Sequence, residues 1–565
     1  MNSKCAFWLS VAVTLGVALV GRPLHAKPGD LDRAFGSNGQ VVSSVTGSFS
    51  SAIITTTNGR VLSAGSCRIP QSPYSQPCVM AYTDAGASDA NFALDGVLRL
   101  STTGSFNAIA HLSPGILVAV GGCGLAFCAY AFDQNGLPDP AFGAGGLVVT
   151  RFSTGSFFDM ATTVAVNESS VMVVGKCDSG LLQTGWDFCA AKFDFSGTLV
   201  ASFADQGKFR AAISVGGGFD YADAVVALSD GSQILIGTCQ TDGLGHGEIC
   251  AIKLTPAGVM SPTFAINGIL SLRGPNVTTG TIARNAVLRS DGKVLIIGTC
   301  NGAYDNAIGD SRFCSVAISS EGVVDTGHGS DGWFKLAATS GWFDAHSSAL
   351  QSDAKLLIAG QCVNDAVSVY DFCVARVNSN GILDSSFGLA GLMKIPFENA
   401  IYEAALSVHV DVAHRAILGG GCTVLGASRA CFSRIHTRQD FFDLDSDNQS
   451  KANTDGVLYL RSLLGFDGAA LTDGALGVYA NRVSGAEISS YLSSPNSAHP
   501  VCNANIVGIP SGPIATIDGL ILLRVMLGLS GDAVTNGTRF PVSAVRTSWP
   551  SIKAYLVDNC GMVLN

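Results

Sequence analysis

From about residue 28 to residue 436, apolar positions fall in short runs broken by glycine-rich polar turns, and no helix-length apolar periodicity appears. Runs of this length with β-branched enrichment read as strands. One stretch shows the unit: Phe209–Ile213, Ala222–Leu228, Ser232–Gly237 and Cys250–Leu254, with Ser229-Asp230-Gly231 as the hairpin turn between the second and third runs. The same turn recurs as Thr57-Asn58-Gly59 and Ser290-Asp291-Gly292. The third run is continuously apolar (Val294 to Ile297, Leu356 to Ile358), as a strand covered on both faces must be. Each unit opens on an aromatic-glycine turn: Phe35-Gly36…Gly39, Phe92…Gly96, Phe142-Gly143…Gly146, Phe203…Gly207, Phe264…Gly268 and Phe387-Gly388…Gly391, with a degenerate copy at Gly327 to Gly332.

Cysteines mark the period. Cys67 pairs with Cys78, Cys123 with Cys128, Cys177 with Cys189, Cys239 with Cys250, Cys300 with Cys314, Cys362 with Cys373 and Cys422 with Cys431. Successive first members lie 56, 54, 62, 61, 62 and 60 residues apart. Seven copies of a four-strand unit of about 60 residues predict a seven-bladed β-propeller, because one such sheet cannot bury both faces unless its neighbours stack into a ring. A β-solenoid is the competing fold. Each cysteine pair then falls where the third run ends and the fourth begins, as a clamp on that hairpin.

Composition agrees with a turn-rich β protein: 67 glycines and only 13% charged residues. A net charge of −10 without a basic stripe argues against a nucleic-acid partner. The one long apolar run is Cys5 to Val20, after Lys4 and before Gly21-Arg22-Pro23-Leu24-His25-Ala26. It reads as a secretory signal over residues 1–26, leaving no membrane span after cleavage; an uncleaved anchor is the alternative. Without Cys5, 16 cysteines remain, the seven pairs plus Cys502 and Cys560, which are left to bond each other. An even, regularly spaced set in an exported chain argues for disulfides over zinc, since the spacing within pairs varies from 5 to 14 residues and histidines do not recur with the pairs. The expected location is extracellular or periplasmic.

Leu-Asp-x-x-Phe-Gly-x-x-Gly, a polar Asp-Gly or Asn-Gly turn, and an apolar strand ending in glycine together resemble the delta-60 repeat family of exported bacterial proteins, over residues 27–438. The resemblance implies a propeller-like β structure and no activity.

No Gly-x-Ser-x-Gly, His-Glu-x-x-His or phosphate loop is present, and His409 and His414 lie on opposite faces of one strand-like run. One polar column stands out. Eight residues before the hairpin turn lie Ser51, Asn107, Asp223, Arg284 and His346, near Asp159, Asp220, Asp344 and Glu403 and the aromatics Phe157, Phe158, Phe219, Tyr221, Trp342, Phe343 and Tyr402. In a closed ring these form a circle at the mouth, a candidate binding site for polysaccharide or protein through Asn107, Asp223, Arg284 and His346. Solvated strand ends with aromatics packed between blades are the competing reading.

Past residue 438 the pattern changes to helix. Asp440, Asp443, Asp445 and Asp447 crowd a loop that leads through Asp455-Gly456 into the amphipathic run Val457 to Leu464. A second copy runs from Asn503 through Asp518-Gly519 to Leu527; Arg461 to Arg524 and Asp455 to Asp518 are each 63 apart. Alternating carboxylates before a helix wrap a hard cation. The expected calcium ligands are Asp443, Asp445, Asp447, the Gln449 carbonyl and Asp455, with a weaker loop at Asn503, Asn505 and Asp518. Tandem units of this kind, over residues 439–565, resemble a dockerin. That resemblance implies calcium-stabilised folding and a cohesin-like partner. The combined expectation is an exported, non-catalytic binding or scaffold protein; the alternative is a secreted propeller hydrolase or lyase acting on polysaccharide.

Overall fold

The computed structural model describes residues 28–152, 158–178, 185–214, 218–241, 246–275, 280–300, 311–337, 341–364, 369–438, 440–447, 449–477, 480, 482–493, 502–562 and 564. The expected signal over residues 1–26 lies outside them. The chain forms two compact units that divide at residue 440.

The first unit is a seven-bladed β-propeller of four-stranded antiparallel sheets. The fourth blade is Tyr221–Ala227, Gln233–Cys239, Glu248–Leu254 and Ile269–Leu272, from the centre outward. First strands of neighbouring blades touch all the way round, which makes them the wall of the central channel. The blades are numbered here from the one that starts at Ser48–Thr55. The seventh combines Ala400–Val410, Arg415–Val424 and Ala427–His436 with the N-terminal strand Gln40–Thr46 as its outermost member. The two ends of the propeller segment therefore meet in one sheet and shut the ring. The sequence unit straddles two blades: Lys208–Ala211, which follows the Phe203 turn, pairs with Trp186–Phe193 of the third blade, and the next three strands build the fourth.

The aromatic-glycine turn holds blade to blade. Phe35, Phe92, Phe142, Phe203, Phe264 and Phe387 are buried, and His328 fills the same place at the degenerate junction. The residue after each donates its N–H to a hairpin carbonyl of the adjoining blade: Gly36 to Ala85, Ala93 to Asn135, Gly143 to Ser196, Ala204 to Ala257, Ala265 to Glu321, Gly329 to Asn380 and Gly388 to Pro28, at 2.7–2.9 Å. The closing glycine of the turn, from Gly39 to Gly391, has φ between +85° and +99° in all seven copies, which a side-chain-bearing residue resists.

Every cysteine pair expected from the period is a disulfide between the second and third strands of its blade. Cys67 bonds Cys78 in the first blade, Cys123 bonds Cys128 in the second, and Cys177 bonds Cys189 in the third. Cys239 bonds Cys250 in the fourth, Cys300 bonds Cys314 in the fifth, Cys362 bonds Cys373 in the sixth, and Cys422 bonds Cys431 in the seventh. Their Cα–Cα distances are 5.6–5.9 Å. The second member always faces the glycine two residues before the first, as Cys78 faces Gly65 and Cys431 faces Gly420, so the bond is diagonal across the hairpin. An eighth disulfide joins Cys502 to Cys560 in the second unit. Eight disulfides belong to an oxidising compartment. No helix among the described residues is long and apolar enough to cross a membrane.

The second unit is small and helical: Val457–Leu463, Gly468–Thr472, Gly485–Ser493, Leu520–Met526, Asp532–Thr535 and Trp549–Ala554. Its halves pack through equivalent glycines. A Cβ on Gly456 would meet Leu523 at 2.7 Å, and one on Gly519 would meet Leu460 at 2.8 Å. Both helices approach closely because neither has a side chain there.

Candidate functional site

The channel wall carries one device seven times. Each innermost strand has a β-bulge, and the bulged residues are Ser51, Asn107, Thr162, Asp223, Arg284, His346 and Leu406. The polar column of the sequence is thus the ring of bulged residues. Thr162 and Leu406 complete it; sequence reasoning missed them, although the offset of eight residues from Ser170 and His414, which stand where the other hairpins carry glycine or Ala354, would have found both. A bulge re-aims one side chain and bends the strand. The second strand makes room for it with a glycine, the first member of every Gly-x-Cys. A Cβ on Gly65, Gly121, Gly175, Gly237, Gly298, Gly360 or Gly420 would lie 1.8–2.1 Å from a carbonyl oxygen of the bulged strand.

The ring residues divide by role. Asn107 donates from Nδ2 to the Ala161 carbonyl (2.7 Å) and Thr162 from Oγ1 to the Ala222 carbonyl (2.6 Å), so each ties its strand to the next blade. The next three form a charged sector with Lys176 and Asp344. An Arg284 guanidinium nitrogen lies 3.7 Å from Asp344 Oδ1, and His346 Nε2 lies 3.7 Å from Asp344 Oδ2. Thr299 Oγ1 donates to Asp344 Oδ1 at 2.7 Å. Asp223 Oδ2 and His346 Nε2 are buried without a hydrogen-bond partner among the described residues. Burial pushes the Asp223 carboxyl up to about 7 against the pull of Arg284 and Lys176, and burial holds His346 neutral well below its ordinary range.

The other carboxylates at the mouth are staples for the segment that enters each inner strand. Asp159 Oδ2 accepts from Phe152 N (2.8 Å). Asp220 Oδ2 accepts from Ile213 N and Ser214 N (2.7 and 2.8 Å). Glu403 accepts from Phe397 N at 3.0 and 3.2 Å and is pushed up to about 8 by burial. His409 Nε2 lies 2.9 Å from Thr55 Oγ1 of the adjoining blade, and His414 sits in a turn at φ +56°.

In the second unit, oxygens of Asp443, Asp445 and Asp447 lie within 4.8 Å of one another, all three buried. Burial raises all three carboxyls, Asp447 to about 6, and Asp443 is raised further by its neighbours Asp455, Asp447 and Asp445. Arg482 holds the loop from beneath through the carbonyls of Asp443 and Leu444. Gln449 is placed by its N–H on Asp447 Oδ1 (2.8 Å). Asp455 accepts from Leu444 N (2.6 Å) and Lys451 N (2.9 Å), and burial raises it. Asp518 accepts from Val507 N (2.9 Å) and Ile514 N (2.7 Å), the same two bonds 63 residues on. That shift sets Asn503 against Asp440 and Asn505 against Phe442, and puts Ile506, Gly508 and Pro510 opposite Asp443, Asp445 and Asp447. The amide oxygens of Asn503 and Asn505 accept from Asn505 N and Ile509 N. The second loop therefore has the first loop's scaffold without its carboxylates.

No known protein family matches the chain, and no curated protein matches it. Among solved structures it is similar to an endo-arabinase of Bacteroides thetaiotaomicron, at 11% identity over 48% of this chain and 92% of that one, with a TM-score of 0.27. It is also similar to an α-L-arabinofuranosidase of Fusarium graminearum (8%, 73% and 97%, 0.36) and to the β-propeller domain of a Pyrococcus furiosus protease (6%, 68% and 93%, 0.35). Likenesses at this level lend this chain no activity.

Proposed function

We propose that this chain is an exported, non-catalytic recognition and scaffold protein whose propeller mouth binds a polysaccharide or a surface protein. The observation that carries the reading is the charged sector of the bulge ring. Asn107 and Thr162 are used up by the fold, whereas Asp223 Oδ2 and His346 Nε2 are buried polar atoms without a hydrogen-bond partner among the described residues. Such atoms cost free energy unless a partner arrives. Asp159, Asp220 and Glu403 hold backbone N–H groups, a positioning task rather than proton transfer.

The C-terminal unit supports calcium binding at Asp443, Asp445 and Asp447, with the Gln449 carbonyl completing the loop and Asp455 shaping it; the cation would neutralise carboxylates that otherwise repel. A cohesin-like partner for this unit belongs to the same reading.

One observation favours the enzymatic alternative. Asp223, pushed up to about 7, would be partly protonated at neutral pH, as the general acid of a glycoside hydrolase must be. A single experiment separates the two. The triple variant Asp223→Ala, Arg284→Ala, His346→Ala and the parent, residues 27–565, are screened on a glycan array and against surface-protein extracts, with calcium and with chelator, while reducing ends are followed. Recognition predicts at least tenfold weaker capture by the variant and no new reducing ends from either protein. Turnover by the parent that the variant lacks would overturn it. Melting 5 °C or more lower in chelator is the expected calcium effect.

A further inference from the structure

Four residues before each bulge the seven blades carry Gly47, Thr103, Phe158, Phe219, Gly280, Trp342 and Tyr402; the first six stand where the chain enters the inner strand, and Tyr402 lies just inside Ala400–Val410. Four of these seven positions are aromatic, in blades three, four, six and seven. Three are placed at the surface, Phe158 at 41% exposed, Phe219 at 37% and Tyr402 at 66%, and Trp342 is half-buried. Each of the last three is in contact with another ring. Phe219 meets Trp186 edge-on at 5.5 Å. Trp342 meets Tyr370 edge-on at 5.8 Å, and Tyr370 in turn stacks on Tyr402 at 5.9 Å with 27° between planes. The Lys176 ammonium lies 3.5 Å from the Trp186 ring centre.

Tyr402 is held against its own preference. Its φ is +56°, in a second irregularity of the strand between Ile401 and Ala404. A bulky non-glycine residue there is strained. The backbone conformation by itself would favour glycine at this position. A large, two-thirds exposed ring kept there in spite of its backbone points to a ligand.

We infer that Phe158, Phe219, Trp342 and Tyr402 form an arc of stacking platforms around the propeller mouth for the sugar rings of a neutral polysaccharide. The inference rests on the recognition reading above and names its ligand class. Faces of sugar rings and aromatic rings match in size and polarity, and rigid aromatics lose little entropy on binding. Charge gives no strong preference for a charged polymer: inside the arc Lys176 and Arg284 stand beside Asp344 and Asp223, and burial pushes the Asp223 carboxyl up to about 7, so the sector holds at most a small net positive charge.

The test is affinity electrophoresis and tryptophan fluorescence of residues 27–565 with soluble β-glucan, arabinan, galactomannan and, as a charged control, polygalacturonate. At least one neutral polymer is expected to retard the protein and shift its tryptophan emission, and polygalacturonate to do neither. Trp342→Ala and Tyr402→Gly should each weaken retention tenfold or more. Tyr402→Gly should melt at or above the parent temperature, because glycine relieves the backbone; lower affinity at undiminished stability separates a ligand platform from a packing role. Retention unchanged within twofold in both variants would overturn the arc while leaving recognition intact. So would tighter binding of polygalacturonate, or capture of a protein with no polysaccharide bound. Failure of every polysaccharide and every surface-protein extract would remove the arc together with the recognition reading beneath it.

Discussion

At the residue scale, one glycine per blade decides whether the channel ring exists. Gly237 is the clearest case: its Cβ would sit 1.9 Å from the Tyr221 carbonyl, while Ala222 opposite it precedes the bulged Asp223. Backbone cannot yield as a flexible side chain can. Gly237→Ala should therefore lower stability by about 3 kcal/mol, well above the roughly 1 kcal/mol usual for a point substitution. Chemical denaturation reads the difference; a loss under about 1 kcal/mol would mean that the bulge is dispensable. His328 illustrates a milder departure. It replaces the phenylalanine that anchors six sister turns, is 2% exposed, and has Ser315 Oγ at 3.0 Å from Nε2. Burial lowers its pKa from 6.5 to about 4. The folded form thus binds fewer protons than the unfolded chain between these values, so its contribution is full above pH 6.5 and falls as pH drops toward 4. His328→Phe should flatten this part of the stability–pH curve by about 3 kcal/mol in all, measured by urea melts at about pH 7 and pH 4. Parallel curves for both proteins would sink the assignment.

At the scale of elements, strands and hairpins were legible because burial on both faces leaves continuous apolar runs and the turns demand glycine. Phe209–Ile213 against the observed Lys208–Ala211, and Cys250–Leu254 against Glu248–Leu254, differ only at their ends. The bulges were not legible. A bulge adds one residue to a strand without changing its composition, and only the glycine on the partner strand betrays it. Pairing was hidden for a related reason: the outer strand belongs to the blade before it, and nothing local says which neighbour it joins. In the helical unit the duplication was plain from the spacing of Arg461 to Arg524 and of Asp455 to Asp518. The second loop was matched by residue type, Asn503 and Asn505 for carboxylates, whereas the backbone bonds of Asp518 fix a different alignment. The disulfides followed from parity and period, and their loops differ in leverage. Cys123 and Cys128 are 5 residues apart, Cys300 and Cys314 are 14, and Cys502 and Cys560 are 58. In the chain-entropy account the blade pairs are worth about 2–3 kcal/mol each and the last about 4 kcal/mol.

At the scale of the whole ring, closure depends on a strand that arrives from the other end of the chain. Gln40–Thr46 pairs with Ala427–His436, and beside that pairing Arg434 Nε donates to Asp32 Oδ2 at 2.7 Å, with Arg434 1% and Asp32 3% exposed. The guanidinium also reaches the Asp84 carbonyl and carboxylate in the first blade and lies over the Phe35 ring at 4.7 Å. One buried side chain thus joins the N-terminal segment, the last blade and the first. Removing Asp32 would leave the buried Arg434 only the half-exposed Asp84 carboxylate as counter-ion; breaking a buried pair outright costs about 3–5 kcal/mol, far more than the same change at the surface. Arg99–Asp95, with both side chains about a third exposed or more, is the internal control. Asp32→Ala should lower the melting temperature of the propeller by several degrees and raise amide exchange first in Gln40–Thr46 and its partner strand, whereas Asp95→Ala should leave both within error. If exchange instead rises evenly over all blades, the ring opens as a unit and Arg434 is not its latch. If Asp32→Ala and Asp95→Ala behave alike, closure rests on the strand pairing alone.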